Sequence, residues 1–179
     1  MSSINPLVAV AQQFLLGSAV RQNHALEHAT IVLLNRKYPE VRLSGNSTAL
    51  GFFVYGDVPT EAILPTAQEA LTLLRTTQPE LAIHERCGTN LAVAGTLTGL
   101  AALTVAKMRR PYNTANNVIL ASTTALILAR PLGLTVQRYF TTKTPNTSMV
   151  IEKVSQLRLF GSPAHFVHTD NPDSAGLFS

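Results

Sequence analysis

The sequence contains a single cysteine, Cys87, among its 179 residues. One thiol cannot form an internal disulfide, and its isolation also excludes zinc ribbons and redox pairs of the CxxC type. Charged residues are scarce too, at 13% of the chain against 46% hydrophobic residues. This imbalance argues against intrinsic disorder and favours burial in protein or in lipid.

A dense basic patch is also missing. The 14 Lys and Arg residues outnumber the 10 Asp and Glu residues, but they are scattered along the chain and are not interleaved with aromatic residues. We therefore expect no nucleic-acid partner. A chain of this length holds one globular core, or a smaller folded domain with a membrane element.

Helical spacing of apolar residues is present from Pro6 to Lys37, where Gly17–Ser18 bends or divides the helix. The apolar run that begins at Leu7 is too short to span a bilayer of about 30 Å, so it is expected to lie on the membrane surface or on the core. A second helix is predicted over Thr60–Thr76, with Thr66-Ala-Gln-Glu69 as a capping box.

Strand patterns occur on both sides of these helices. Turn signals at Gly45–Asn46 and Gly56–Asp57 surround two runs rich in β-branched and aromatic residues, which predicts a β-hairpin. A short strand is expected at Leu81–His84. Two further strands are expected on either side of Gly161-Ser162-Pro163, where they would join the same sheet.

Two long segments carry almost no charge. Leu91–Ala106 has no charged side chain, and Val118–Val136 has one interior arginine, so both approach the length of about 20 residues that a spanning helix needs. Small residues recur every four positions and would allow close helix packing in lipid: Gly95 and Gly99 in the first segment, and Ala121, Ala125 and Ala129 in the second. The alternative is that both helices form the core of a soluble protein.

These patterns predict an α+β protein in which an N-terminal helix and a small β-sheet are combined with a two-helix transmembrane hairpin. Residues 1–88 form the helix and strand domain, 89–140 the hairpin, 141–170 the strands that complete the sheet, and 171–179 a flexible tail. The lipid bilayer is the expected partner.

The motif His24-x-x-Glu27-His28 lies within the first helix. Residues at i and i+4 share one helical face, so both imidazoles can bind one metal ion, and the adjacent glutamate can take a proton from a metal-bound water. The order His-x-x-Glu-His resembles the inverted zincin motif. That resemblance implies that His24 and His28 are zinc ligands and that Glu27 is the general base.

A third ligand is needed. Inverted zincins take it from a glutamate far downstream, but at that distance this chain has only apolar residues around Leu103. His84 and Cys87 are the favoured substitutes, and Glu61 or Glu69 on the second helix is the other option. His165 and His168 alternate on a strand and point to opposite faces, so at most one of them can reach the site.

Two further interpretations remain open at this stage. In the first, the strand of Gly51-Phe-Phe-Val-Tyr-Gly56 is an edge strand that aligns an extended peptide substrate by main-chain hydrogen bonds, the alternative being that it is simply part of the core. In the second, the histidines are ordinary polar residues of a helix face, with Glu27 paired to Arg21 or Lys37 and with His84 capping the end of a strand.

The segments HALEHAT, GFFVYGDVPTE and IHERCGTN occur in this order and are followed by the apolar hairpin. With these segments the chain resembles a family of small membrane proteins from cyanobacteria and some other bacteria for which no activity is established. The resemblance implies a multi-pass membrane protein of a thylakoid or plasma membrane.

Two functions are compatible with these observations. The first is a membrane-anchored, metal-dependent hydrolase of peptidase type, in which Glu27 activates a metal-bound water. The alternative is a noncatalytic accessory or assembly subunit of a membrane complex, such as a photosynthetic one, whose hairpin packs against other membrane-protein subunits.

Overall fold

The computed structural model describes residues 17–108, 114–159 and 161–173, so the apolar run that begins at Leu7 lies outside the described residues. The chain divides into two compact units. The first unit is made of two separate segments, Met1–Ile83 and Phe140–Ser179, and the second is the segment between them, His84–Tyr139.

Two helices belong to the first unit, α1 (Ser18–Lys37) and α2 (Thr60–Thr76). The prediction of α2 is confirmed, and that of α1 is confirmed from Ser18 onwards. Helix α1 ends shortly before Pro39 because proline disfavours helical conformation in the residue that precedes it. The apolar residues that α2 buries recur every three or four positions, as on a helix with one face in a core: Ile63, Ala67, Ala70, Leu71 and Leu74.

Two local predictions near α2 are wrong. Thr66 caps nothing, because it lies inside the helix and its hydroxyl donates to the Ala62 carbonyl oxygen at 2.7 Å. The segment expected as a strand at Leu81–His84 instead contains part of a 3₁₀ turn over Pro79–Ala82. Proline suits the first position of such a turn, since the N–H it lacks would have no partner there.

Four antiparallel strands form one sheet in the order β1-β2-β4-β3. The strands are β1 (Ser44–Thr48), β2 (Gly51–Tyr55), β3 (Val150–Leu159) and β4 (Ser162–Asp170). The two C-terminal strands therefore join the N-terminal hairpin, as predicted. The interpretation of β2 as an edge strand is wrong, because β2 pairs with β1 on one side and with β4 on the other. The alternative that this strand is part of the core is confirmed.

The chain reverses between β1 and β2 at Ala49–Leu50, and the turn predicted at Gly45–Asn46 lies inside β1. Thr48 supplies the turn: its hydroxyl donates to the Gly51 carbonyl oxygen at 3.1 Å and accepts from the Leu50 N–H at 3.2 Å. A threonine hydroxyl thus does what a glycine or asparagine does in other tight turns.

One face of the sheet packs on α1 and α2 and forms the core with fully buried Phe52, Val54 and Val167. His165 is also buried, and its Nε2 lies 3.0 Å from the Thr60 hydroxyl of α2. His168 bonds instead to Ser155 of β3, at 2.9 Å. The prediction that these two histidines occupy opposite faces is confirmed.

The residues after β4 contact the start of α1. Asp173 accepts hydrogen bonds from the Ser18 hydroxyl at 2.6 Å and from Gln22 at 2.7 Å. The Ser18 hydrogen bond is the main reason that the pKa of Asp173 is lowered. Asn171 is buried, so this part of the expected tail belongs to the fold. Residues 174–179 lie outside the described residues.

The second unit is a helical hairpin of α3 (Gly88–Lys107) and α4 (Thr114–Val136), and a π-helical turn over Gln137–Thr141 follows α4. Helix α3, and α4 together with the turn that follows it to Thr141, are long and apolar enough to cross a membrane, with mean hydropathies of 1.4 and 1.6. Large apolar side chains on them remain exposed, including Leu91 at 77% and Ile127 at 70%.

The small residues of the hairpin divide into two groups. Ala121, Ala125 and Ala129 lie on the protected side of α4, as the packing prediction requires. Gly95 and Gly99 lie on the exposed side of α3, and no described atom comes within 4 Å of a methyl group placed on either of them. The close approach occurs elsewhere, where a methyl group on Gly133 would lie 3.1 Å from the Asn90 Cα.

Candidate metal centre

His24 and His28 lie one turn apart on α1, and their rings are in contact. The ring centroids are 4.3 Å apart, with an angle of 62° between the planes. One imidazole nitrogen of each residue lies within 4.8 Å of the other. Two ligand atoms on one tetrahedral zinc ion are about 3.4 Å apart, given bonds of about 2.1 Å, so a small ring movement would bring both to a metal ion.

Both imidazoles are oriented by main-chain carbonyl groups. Nδ1 of His24 lies 2.9 Å from the Thr141 carbonyl oxygen, and Nδ1 of His28 lies 2.7 Å from that of Ala82. A carbonyl oxygen only accepts, so Nδ1 carries the proton in each ring. The neutral form then has its lone pair on Nε2. In other proteins, a metal-binding histidine is commonly held in orientation by a hydrogen bond from its other ring nitrogen to a main-chain carbonyl oxygen.

Glu27 is buried between α1 and β1. Its carboxylate accepts a hydrogen bond from the Ser47 hydroxyl at 2.5 Å. Gly45 makes room for it, because a methyl group at that position would lie 2.5 Å from Glu27 Oε1. Neither predicted alternative pair of Glu27 is found among the described residues: the Arg21 guanidinium donates to the Thr142 carbonyl oxygen at 3.1 Å, and Lys37 pairs with Glu69 at 2.9 Å.

Burial raises the pKa of the Glu27 carboxyl above its ordinary value, while the Ser47 hydrogen bond and the charge of His24 oppose this rise. A carboxyl group with a raised pKa can hold a proton nearer to neutral pH than an exposed glutamate can. That property suits a general base, whose most effective pKa lies near the working pH.

His84 and Cys87 lie in the second unit, on the loop that leads into α3. Cys87 is the N-cap of α3, and its buried sulfur accepts from the Thr89 N–H at 3.4 Å. The loop is fixed at His84, whose main-chain N–H and C=O both bond to the Gln137 side chain, at 2.9 Å and 3.0 Å. The assignment of His84 and Cys87 as further metal ligands stays a prediction.

Gln137→Leu is expected to loosen this loop. Gln137 is fully buried and also donates to Asn90 Oδ1 at 2.7 Å. Leucine would leave polar groups of His84 and Asn90 without these partners, at about 1–3 kcal/mol for each buried group. Thermal unfolding in detergent should occur at a lower temperature, and a maleimide should label Cys87 faster. Arg138→Gln, one position later on the exposed surface, is the matched control. Equal labelling rates in both variants would contradict the proposed anchoring role.

The comparisons with known proteins place this site in a family. The family described as "Domain of unknown function (DUF6391)" matches residues 19–154. A protein of Picosynechococcus, described as uncharacterized, is 35% identical over 159 residues, which cover 83% of this chain and 78% of the relative. The chain belongs to the DUF6391 family. No solved structure matches it.

The DUF6391 match includes every residue proposed for the metal centre together with both apolar helices, and it ends inside β3. The predicted resemblance to a cyanobacterial family is confirmed at this level. The family description assigns no activity, so the chemistry of the site has to be argued from its geometry.

Two DUF6391 residues at the site were missed from the sequence, namely Ser47 and Gly45. The sequence pattern predicts a turn at Gly45–Asn46 and assigns no role to Ser47, because Ser44-Gly-Asn-Ser-Thr48 has no apolar residue to reveal a strand. Their contact with Glu27 depends on the packing of β1 against α1. Of the two other suggested ligands, Glu69 is paired with Lys37 at the surface, and Glu61 is exposed in the first turn of α2.

Proposed function

We propose that the protein is a membrane-anchored metallohydrolase with peptidase-type chemistry and that zinc is its metal. The supporting observation is the histidine pair of α1, in which a main-chain carbonyl oxygen orients each Nδ1. An ordinary surface histidine needs no such support, and two neighbouring rings oriented in the same way favour a shared ligand.

In this proposal His24 and His28 hold the metal through Nε2, and a further ligand comes from His84 or Cys87, as the sequence suggests. Zinc held there would supply the Lewis acidity that makes a water molecule nucleophilic towards a carbonyl carbon at neutral pH. Glu27 accepts the proton that this water loses and passes it to the leaving amine. The Ser47 hydroxyl holds one carboxylate oxygen and thereby fixes the direction of the other.

A membrane location is proposed from the exposed apolar surface of the second unit. Soluble proteins rarely leave long apolar helices uncovered, and lipid is the solvent that such side chains fit. We propose that α3 and α4 both cross the bilayer. Because the relative is cyanobacterial, a thylakoid or plasma membrane is the location that we propose.

Metal analysis of the detergent-purified protein tests the proposed centre. We expect about one zinc per chain in the wild type and loss of at least nine-tenths of it in His24→Ala and in His28→Ala. His168→Ala is the matched control, since this histidine lies on the far face of the sheet. His84→Ala and Cys87→Ser then decide which residue completes the site. Wild-type protein without stoichiometric metal, after purification free of chelators, would eliminate the hydrolase.

A second candidate function is an accessory subunit of a membrane complex. It is favoured by the exposed side of α3, where Gly95 and Gly99 leave a groove next to the exposed Leu91. A partner helix could approach closely there. Extraction in mild detergent followed by co-purification tests this function, and Gly95→Leu should release the partner. A metal-loaded chain that purifies alone would count against it.

A further inference from the structure

The two edges of the sheet differ in ways that matter for ligand binding. Edge strand β3 has an irregular pairing near Glu152 and exposes the charged residues Lys153 and Arg158. Bulges and charges of this kind protect an edge against pairing with another chain. Edge strand β1 has a regular register, no charged residue and no proline. The β1 edge therefore lacks the features that prevent strand addition.

The hydrogen-bond register shows which main-chain groups of β1 face outwards. Leu50 O accepts from Thr169 N at 3.1 Å, and Gly56 N donates to Pro163 O at 3.3 Å, so even-numbered residues of β2 are directed to β4. Bonding direction alternates along a strand, so Gly51, Phe53 and Tyr55 bond to β1. Their partners are Thr48, Asn46 and Ser44. The N–H and C=O groups of Gly45 and Ser47 are thus directed away from the sheet.

These two residues are also the ones that contact Glu27. Ser47 donates to the carboxylate, and the missing side chain of Gly45 lets that carboxylate lie against the strand. No residue in the described part of the chain bonds to the outward main-chain groups of Gly45 or Ser47. Gly45 and Ser47 therefore direct their main-chain groups to the open edge of the sheet and have the candidate general base as a neighbour on one face of the strand.

We infer that the β1 edge binds an extended peptide as a fifth strand, through the main-chain groups of Gly45 and Ser47. This inference rests on the proposed function and names its substrate: an unfolded polypeptide segment recognised by its backbone. A strand added here lies about 4.8 Å from β1, which brings its peptide bonds within one water molecule of Glu27. Side chains of the peptide contribute less, since the side chains of β1 that flank it, Ser44 and Asn46, are small and exposed.

Peptide binding without turnover tests this inference. The probe is a fluorescein-labelled octapeptide of alternating valine and threonine with a lysine at each end, measured by fluorescence anisotropy on Glu27→Gln protein without metal. The analogue with every backbone amide methylated should bind at least tenfold more weakly, because it cannot donate to β1. Equal binding of the two peptides, or no binding of the first, would overturn the inference.

Variants of Ser47 supply the matched comparison. Proline at this position removes the outward N–H together with the hydroxyl, whereas alanine removes only the hydroxyl. In the same Glu27→Gln background, Ser47→Pro should weaken peptide binding at least tenfold relative to Ser47→Ala. If both variants are folded, as judged by their circular dichroism, and bind equally, the β1 edge is not the site.

The outcomes separate this inference from the proposed function. If the protein carries zinc but does not bind the peptide, the metallohydrolase proposal stands and the β1 binding site is rejected. If the protein binds the peptide at β1 but carries no zinc, the β1 binding site stands and the metallohydrolase proposal is rejected.

Discussion

Glu27→Gln should strongly reduce the rate of peptide hydrolysis and, at the same time, stabilise the fold. Glutamine keeps the size of the side chain and can still accept from Ser47, but it cannot take a proton from water. Loss of a general base lowers turnover by about 10²–10⁴-fold. A quenched fluorescent peptide measures this loss, and Glu40→Gln, exposed in the segment between α1 and β1, is the control that should keep full activity.

The stability gain follows from the direction of the pKa shift. Burial raises the pKa of Glu27 in the folded chain above its ordinary value of 4.5. The folded state therefore favours the protonated form, and its stability decreases as the pH rises through the folded pKa. Glutamine removes this loss, so metal-free Glu27→Gln should unfold a few degrees higher than metal-free wild type at pH 8. Below pH 4.5 the two should unfold at similar temperatures. If the difference in unfolding temperature between Glu27→Gln and the wild type is the same at every pH, the pKa of Glu27 is not raised.

Among the glycine-to-alanine substitutions considered for this protein, Gly51→Ala should lower the free energy of unfolding the most. Gly51 begins β2 with φ of +144°, a conformation that costs about 1–3 kcal/mol for other residues. The added methyl group would also overlap the carbonyl oxygen of Val167 in β4. Because β4 is the neighbouring central strand, relief of the overlap requires the sheet to open. We expect a loss of at least about 3 kcal/mol.

Gly161→Ala is the matched control for this strain. Gly161 also has a positive φ, of +82°, but no described atom lies within 4 Å of a methyl group placed there. Only the backbone cost of about 1–2 kcal/mol should then apply. Thermal unfolding followed by circular dichroism should show a decrease in the unfolding temperature of Gly51→Ala that is at least twice the decrease for Gly161→Ala. Equal falls would mean that the contact with Val167 contributes nothing.

The helices and the two long strands could be predicted from the sequence because they are periodic. Helix α2 repeats apolar residues at helical spacing, and β3 and β4 alternate on either side of Gly161. Strand β1 could not be predicted, because its five small polar residues have no pattern. The 3₁₀ turn at Pro79–Ala82 was missed because four residues are too short to show a period.

The candidate site was predictable to the extent that it is local in sequence. His24 and His28 were recognised because one helical turn brings them together. The groups that orient them, the carbonyls of Thr141 and Ala82, carry no sequence signal since every residue has a carbonyl. Ser47 was missed for another reason, because it meets Glu27 only after β1 has packed on α1.

The first unit is interrupted in the chain by the second, and β4, which pairs with both β2 and β3, is the last strand to leave the ribosome. Until then β1 and β2 form an isolated hairpin, and hairpins of two strands are barely stable in water. Both apolar helices, α3 and α4, are therefore synthesised before β4 can complete the sheet. The order of translation therefore makes the placement of the helical hairpin of α3 and α4 an early event. Assembly of the unit that carries His24 and His28 is a late event.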